Sequence, residues 1–164
     1  MQRFYCRSRQ LARENKEGIT KEMKYKFEVN EKAVGKARPR YNPKAHKMYT
    51  PIKTSNFEEK IKNAFLQKYN VQTELSEKPF DAIIKVWFEP VKSTSKKKRE
   101  NLLYGPCDKK PDCDNIAKSV LDALNGLAYK DDKQVSYLSV EKLYGPENKI
   151  EIDLEEINKW IKKI

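Results

Sequence analysis

A chain of 164 residues has the length of one ordinary domain, and with 38% hydrophobic and 36% charged residues it carries a modest core beneath a heavily solvated surface. Its 35 Lys and Arg against 24 Asp and Glu leave a net charge of +11, which favours a polyanionic partner. Nucleic acid fits better than membrane: there is no long basic amphipathic helix, and the longest apolar stretch, Ala82 to Phe88, is interrupted by Lys85, far short of the roughly 20 apolar residues that span a bilayer.

The cysteines, Cys6, Cys107 and Cys113, are odd in number, form no CxxC and stand beside a single His, so neither a disulfide framework nor a zinc site is indicated. They read as reduced thiols. The basic N-terminus lacks the apolar segment of a secretory signal, and a cytoplasmic location is the expectation. Residues 1–22 have few apolar anchors and are expected to form a poorly packed extension, with Met23 a candidate natural start, ahead of one domain over 23–164.

Tyr25 to Val29 alternates apolar and charged residues, the pattern of a half-buried strand. The chain then turns basic through Gly35-Lys36-Ala-Arg38-Pro-Arg40-Tyr41 to Met48-Tyr49-Thr50-Pro51, where the prolines predict an irregular hairpin or loop rather than a central strand. Ser55-Asn-Phe-Glu58 fits a capping box, and Phe57, Ile61, Ala64 and Phe65 recur at helical spacing, which predicts a helix over 55–69. Asp81 to Glu89 is rich in β-formers, apolar on both faces and bounded by prolines, the signature of a strand near the middle of a sheet.

Residues 92–110, with Lys96, Lys97, Lys98, Arg99 and Lys110 as candidate DNA contacts, read as a long, mobile basic loop that is either an ordered phosphate clamp or a disordered basic tether. A second helix is predicted over 113–125, stopped by Gly126. Strands over 135–143 and 149–154 are expected to pair as a hairpin through Gly145 to Asn148, with the last ten residues a short helix anchored by Ile157, Trp160 and Ile161. This order predicts an α+β fold with a small mixed sheet packed by helices.

Chemistry concentrates around the second helix. At 100° per residue, Ile116, Ala117, Val120, Leu121, Ala123, Leu124 and Leu127 share a broad apolar arc, while Asp114, Lys118 and Asp122 run along the opposite side beside Asn115 and Ser119. Asp112 and Asp114 stand at its N-terminal end, and Asp131 and Asp132 follow it directly. A short return would bring Asp132 back beside Asp114, setting three oxygen donors around a hard cation for which Mg²⁺ is better suited than zinc. Lys118, one turn from Asp114, would reach a scissile phosphate, and Lys36, Arg38 and Arg40 would contact phosphate from the hairpin.

A blander account exists for each of these groups. Asp is a common helix cap, Asp122 and Lys118 suit an i, i+4 pair, and Asp-Asp-Lys is ordinary turn composition. The lysines are equally at home as a solvated edge, and His46 reads as a surface residue. A non-catalytic DNA-binding module therefore stands beside metal-assisted phosphodiester cleavage.

The run Lys110-Pro-Asp112-Cys-Asp114-Asn-Ile-Ala-Lys118, continuing through Asp122 and Asn125-Gly126 to Asp131-Asp132-Lys-Gln134-Val135, resembles the signature of the RusA family of Holliday-junction resolvases. Gly35-Lys-Ala-Arg38-Pro-Arg40 and Tyr49-Thr-Pro51 are similar to that family's N-terminal hairpin. Cys113, where an aliphatic residue is usual, and residues 1–22 depart from the pattern. The resemblance implies a small α+β homodimer, typical of phages and prophages, that binds four-way DNA junctions and nicks opposing strands with Mg²⁺, for which Mn²⁺ is a possible substitute. It also implies Asp112, Asp114 and Asp132 as metal-binding carboxylates, Lys118 as the catalytic lysine and Asp131 as an accessory acid. Duplex or other branched DNA stays open as a substrate.

Overall fold

The structure is a computed structural model and describes residues 23–69 and 74–157. Strand β1 (Lys24–Val29) alternates as expected, burying Tyr25, Phe27 and Val29. Strands β2 (Arg40–Asn42) and β3 (Lys47–Tyr49) form a separate antiparallel ribbon, the irregular hairpin that the prolines foretold. Helix α1 (Ile52–Lys68) follows, and strand β4 (Phe80–Phe88) buries Phe80, Ala82, Ile84, Val86 and Phe88 on one face.

Beyond β4 come helix α2 (Lys96–Leu102), helix α3 (Cys113–Leu124), a 3₁₀ turn (Asp132–Gln134), strand β5 (Val135–Tyr144) and strand β6 (Lys149–Glu156). The main sheet has the order β1-β6-β4-β5, with β4 and β5 parallel and the other pairs antiparallel. This is the α+β architecture with a small mixed sheet. Helices α1 and α3 pack on the core face, where the T-shaped contacts of Phe65 with Tyr25 and Phe27 fix α1 to β1.

Four expectations are corrected. Helix α1 begins at Ile52 rather than Ser55; Pro51 caps it, its carbonyl taking the Thr54 and Ser55 N–H groups at 2.9 and 3.2 Å, so the supposed capping box lies inside the helix. A proline with φ −55° enters a helix without conformational cost, and a side-chain cap is not needed there. Second, the basic 92–110 segment is not a continuous loop. It contains α2, anchored where Arg99 donates to the Pro90 carbonyl at 3.0 Å and pairs with Glu89 at 3.4 Å.

Third, β5 and β6 are not a hairpin, because β4 lies between them. The crossover through α2 and α3 returns β5 parallel to β4, and the four residues from Gly145 to Asn148 then span two strand spacings, about 9.6 Å, over the end of β4. There Gly145 N–H donates to Phe88 O at 3.0 Å and Asn148 accepts from Glu89 N–H at 3.2 Å. A side chain at Gly145 would meet Trp87 at 3.1 Å, so the close crossing favours glycine. The fourth correction is Ser119, which is buried within α3 rather than set on its outer side. The expected terminal helix falls outside the described residues except for Glu155 and Glu156, which finish β6, and Ile157, whose N–H bonds Pro79 O at 2.8 Å; the 1–22 extension lies wholly outside them.

Candidate active site

The N-terminus of α3 is held from two sides. From one, the segment before it is stitched to β5: Tyr104 and Tyr144 exchange backbone bonds with Tyr144 and Gly105 at 2.8 and 2.9 Å, Cys107 N–H donates to Lys142 O at 2.9 Å, and the Lys142 ammonium donates to the Lys109 and Pro111 carbonyls at 2.6 and 2.9 Å. From the other side, Gly35 lies so close that an added Cβ would stand 2.8 Å from Pro111 Cβ and 3.0 Å from Asn115 Cβ, while Lys36 N–H donates to Asn115 O at 2.8 Å.

What this clamp leaves outside is acidic. Asp112 occupies the cap position in extended conformation and makes no side-chain capping bond. Asp114 is exposed and, among the described residues, accepts from its neighbour Asn115 at 3.3 Å. Behind them the apolar arc sits as the spacing predicts, with Ile116, Ala117, Val120, Leu121, Ala123 and Leu124 buried. Lys118 is exposed on the outer side.

A tight return brings the second acidic pair back. Gly126 stops α3 with φ +72°, a conformation open to glycine, and its N–H closes the turn onto Tyr129 O at 2.8 Å. Tyr129 then plugs fully into the core against Phe80, its hydroxyl donating to Leu121 O at 2.9 Å. Gln134 completes the device: its amide accepts from Lys130 and Asp131 N–H and donates to the Ser76 and Lys78 carbonyls, all between 2.8 and 3.1 Å. Asp131 caps the 3₁₀ turn by accepting from Lys133 N–H at 3.0 Å.

The charges along this surface are unequal. The Lys36 ammonium, expected to meet phosphate, lies between Asp122 at 2.6 Å and Glu58 at 2.7 Å. Burial opposes its charge, but hydrogen bonds to the two carboxylates hold its pKa above the ordinary range. The Lys133 N–H bond and the Lys133 charge lower Asp131. Asp132 is raised, by burial first, then by a hydrogen bond with Asp131 and by the negative charge of Asp122 and Asp131, which Lys118 partly offsets. Asp132 therefore stands in the field of the middle turns of α3, carrying Lys118 and Asp122.

Among the described residues, Asp112, Asp114 and Asp132 have no ion pair, whereas Asp122 is bound to Lys36 and Asp131 serves its own turn. No three His, Cys, Asp or Glu side chains among them stand close enough to cage a cation as they are. The donor chemistry nevertheless fits a hard divalent ion: three carboxylates without ion pairs among the described residues, and a proton affinity at Asp132 raised in part by neighbouring negative charge, which a cation would relieve.

The remaining expected contacts divide by exposure. Arg38, Arg40, Lys96, Lys97, Lys98 and Lys110 are exposed with no ion pair among the described residues, while Arg99 is turned back to Glu89 and Pro90. Sequence reasoning missed Tyr129, Gln134 and Lys142. Only Gln134 carried a readable signal, since Asp131-x-x-Gln134 is a capping-box spacing; the other two depend on where distant backbone lies.

A family profile described as endodeoxyribonuclease RusA matches residues 31–155, which include α3, its return, the ribbon and most of the main sheet. The chain belongs to the RusA family. Membership makes it a nuclease of the Holliday-junction resolvase type, in keeping with its basic surface. The chain is also similar to the uncharacterized protein YqaN of Bacillus subtilis (strain 168), 36% identical over 141 residues that cover 81% of this chain and 96% of that protein. No described helix is long and apolar enough to cross a membrane.

Proposed function

We propose that this chain is a Mg²⁺-dependent endodeoxyribonuclease that resolves four-way DNA junctions in recombination and repair by paired nicks, acting as a homodimer in the cytoplasm, with Mn²⁺ able to replace Mg²⁺. What supports this reading is the RusA-family match of a chain of net charge +11, in which Asp112 and Asp114 stand without ion pairs at the start of the helix that exposes Lys118, and Asp132, also without an ion pair, lies in the field of that helix's Lys118 and Asp122. A structural acid is ordinarily paired or capping; these three are neither.

Asp112, Asp114 and Asp132 would hold Mg²⁺, which when bound would supply Lewis acidity toward a phosphate oxygen and lower the pKa of a bound water. The chain's own groups supply the rest. Lys118 neutralises charge that develops on the phosphate, and its place on a rigid helix keeps that charge oriented. Asp131 shapes the turn and shares a hydrogen bond with Asp132. Arg38, Arg40, Lys96, Lys97, Lys98 and Lys110 bind the phosphate backbone, while the Lys36 and Arg99 charges are committed within the protein. In a homodimer a two-fold axis would match that of a four-way junction, so one encounter addresses both strands.

Replacing Asp112, Asp114 or Asp132 individually by Asn keeps the shape and removes a ligand charge. On a synthetic four-way junction, with flap and linear duplex controls, each variant is expected to lose Mg²⁺-dependent cleavage and to keep or strengthen junction binding. Normal cleavage by the Asn variants would sink the carboxylate assignment, and no cleavage by the wild-type chain with any divalent metal would leave a binding module.

A further inference from the structure

The β2–β3 ribbon has a division of labour that phosphate binding does not use. Its pairing sets Tyr41 opposite Met48, and Arg40 opposite Tyr49 with Asn42 opposite Lys47. Since successive residues of a strand point to opposite sides, one face carries Tyr41 and Met48 and the other carries Arg40, Lys47 and Tyr49. Tyr41 and Met48 are 56% and 61% exposed. A two-stranded ribbon is marginal by itself and gains stability by burying one face, yet here the apolar face is in water.

The surroundings say what would cover it. From Lys32 to Phe57 the chain has seven Lys or Arg and no Asp or Glu. Arg38, Arg40, Lys44, Lys47 and Lys53 form no ion pair among the described residues. An apolar protein surface is a poor fit to so much unneutralised positive charge, whereas a nucleic acid offers phosphates for one face and π-faces for the other. The ribbon is also rooted at the candidate active site: Lys36 N–H is bonded to Asn115 of α3, and the four residues on to Arg40 span at most about 14 Å.

We propose that the Tyr41–Met48 face stacks on unpaired or unstacked bases at a DNA branch point, so that the ribbon separates branched from linear DNA while its cationic face holds phosphate. This rests on the reading of the chain as a junction nuclease. In intact duplex the bases are stacked on one another and the face has nothing to engage; at a branch point a base is released at little cost. The Tyr41 ring lies against the His46 ring, the two centroids 6.5 Å apart.

The test uses the full chain in EDTA, so that no strand is cut, with 2-aminopurine at the branch nucleotides of a four-way junction and in a matched duplex. The wild-type chain is expected to change the branch-point fluorescence. Tyr41→Ala combined with Met48→Ala should abolish that change and weaken junction binding about 10-fold, the size of a lost base–aromatic stack, with duplex binding altered less than about 2-fold. Tyr41→Phe should behave as wild type, and Arg40→Ala with Lys47→Ala should weaken both substrates alike. Both ribbon side chains are exposed, so an unchanged melting temperature is expected in the double variant. Wild-type fluorescence and junction preference in that variant overturn the proposal, as does a change in its sedimentation, which would make the ribbon an interface between copies. If the wild-type chain resolves junctions while the double variant keeps its preference, the ribbon idea alone fails; if the wild-type chain shows no junction preference, both readings fail.

Discussion

Replacing Lys36 by Gln removes a single charge from between two carboxylates on different elements. The Lys36 side chain is 21% exposed, Glu58 17% and Asp122 23%, so the group is mostly sheltered without being sealed. Removing one partner from a fully buried pair costs roughly 3–5 kcal/mol and from an exposed pair about 1 kcal/mol or less, which puts this site at about 2 kcal/mol. For a chain of this size that is a fall in melting temperature of about 4–8 °C. Urea unfolding followed by tryptophan fluorescence would measure it. The same substitution in a Glu58→Gln background should cost at least about 1 kcal/mol less, since one of the two stranded carboxylates is already gone. The raised pKa of Lys36 means that its contribution is fully present below the ordinary lysine value of 10.5 and is lost only as pH rises through the folded value. The gap between wild type and variant should therefore be flat from about pH 6 to 9. A loss under about 0.5 kcal/mol, or a gap that closes within that range, would refute the argument that this bridge ties α1 to α3.

Two further outcomes follow from the same surface. Gly35→Ala places a methyl group 2.8 Å from Pro111 Cβ and 3.0 Å from Asn115 Cβ, so the basic segment must lift from α3; a loss of about 1–3 kcal/mol in urea unfolding is expected, with reduced junction cleavage as Asp112 and Asp114 shift, and full stability with full cleavage would contradict it. In metal-free buffer Asp132→Asn should stabilise the fold at neutral pH, because a carboxyl whose folded pKa is raised favours the folded state below its unfolded pKa of about 3.8 and loses that benefit as pH rises through the folded value. The gain should disappear near pH 3, and a variant less stable than wild type at pH 7 would show that the charge on Asp132 is not opposed there.

The strands and helices that bury one face were legible because their periodicity reports burial directly. Alternation in Tyr25 to Val29 holds and the apolar arc is buried from Ile116 to Leu124, with Leu127 beyond the helix end and only partly buried, while the prolines around Arg40 keep the ribbon out of the main sheet. The misreadings share a cause. Ser55 looked like a cap because local spacing allowed it, but Pro51 had already started the helix. The lysines of α2 read as loop by their charge density, yet Lys, Arg, Glu and Leu are all good helix formers. The β5–β6 turn looked like a hairpin because nothing in a turn says which strand lies beside it.

The candidate site divides the same way. Sequence alone determined the residue types, the net charge of +11, the Asp112–Asp114 spacing at a helix start and the faces of that helix, since these depend on composition and on a 100° rotation per residue. Only the tertiary structure decided which charges are free. Lys36 was taken out of the DNA-facing set by Glu58, twenty-two residues away, and by Asp122 on another helix. Asp131 was claimed by its turn, and Asp132 was left beside Asp122 and Lys118 by a return that Tyr129 and Gln134 hold in place. The physical reason is range: periodicity is set by neighbours along the chain, but the state of a charge is set by whatever folding brings within a few ångströms of it.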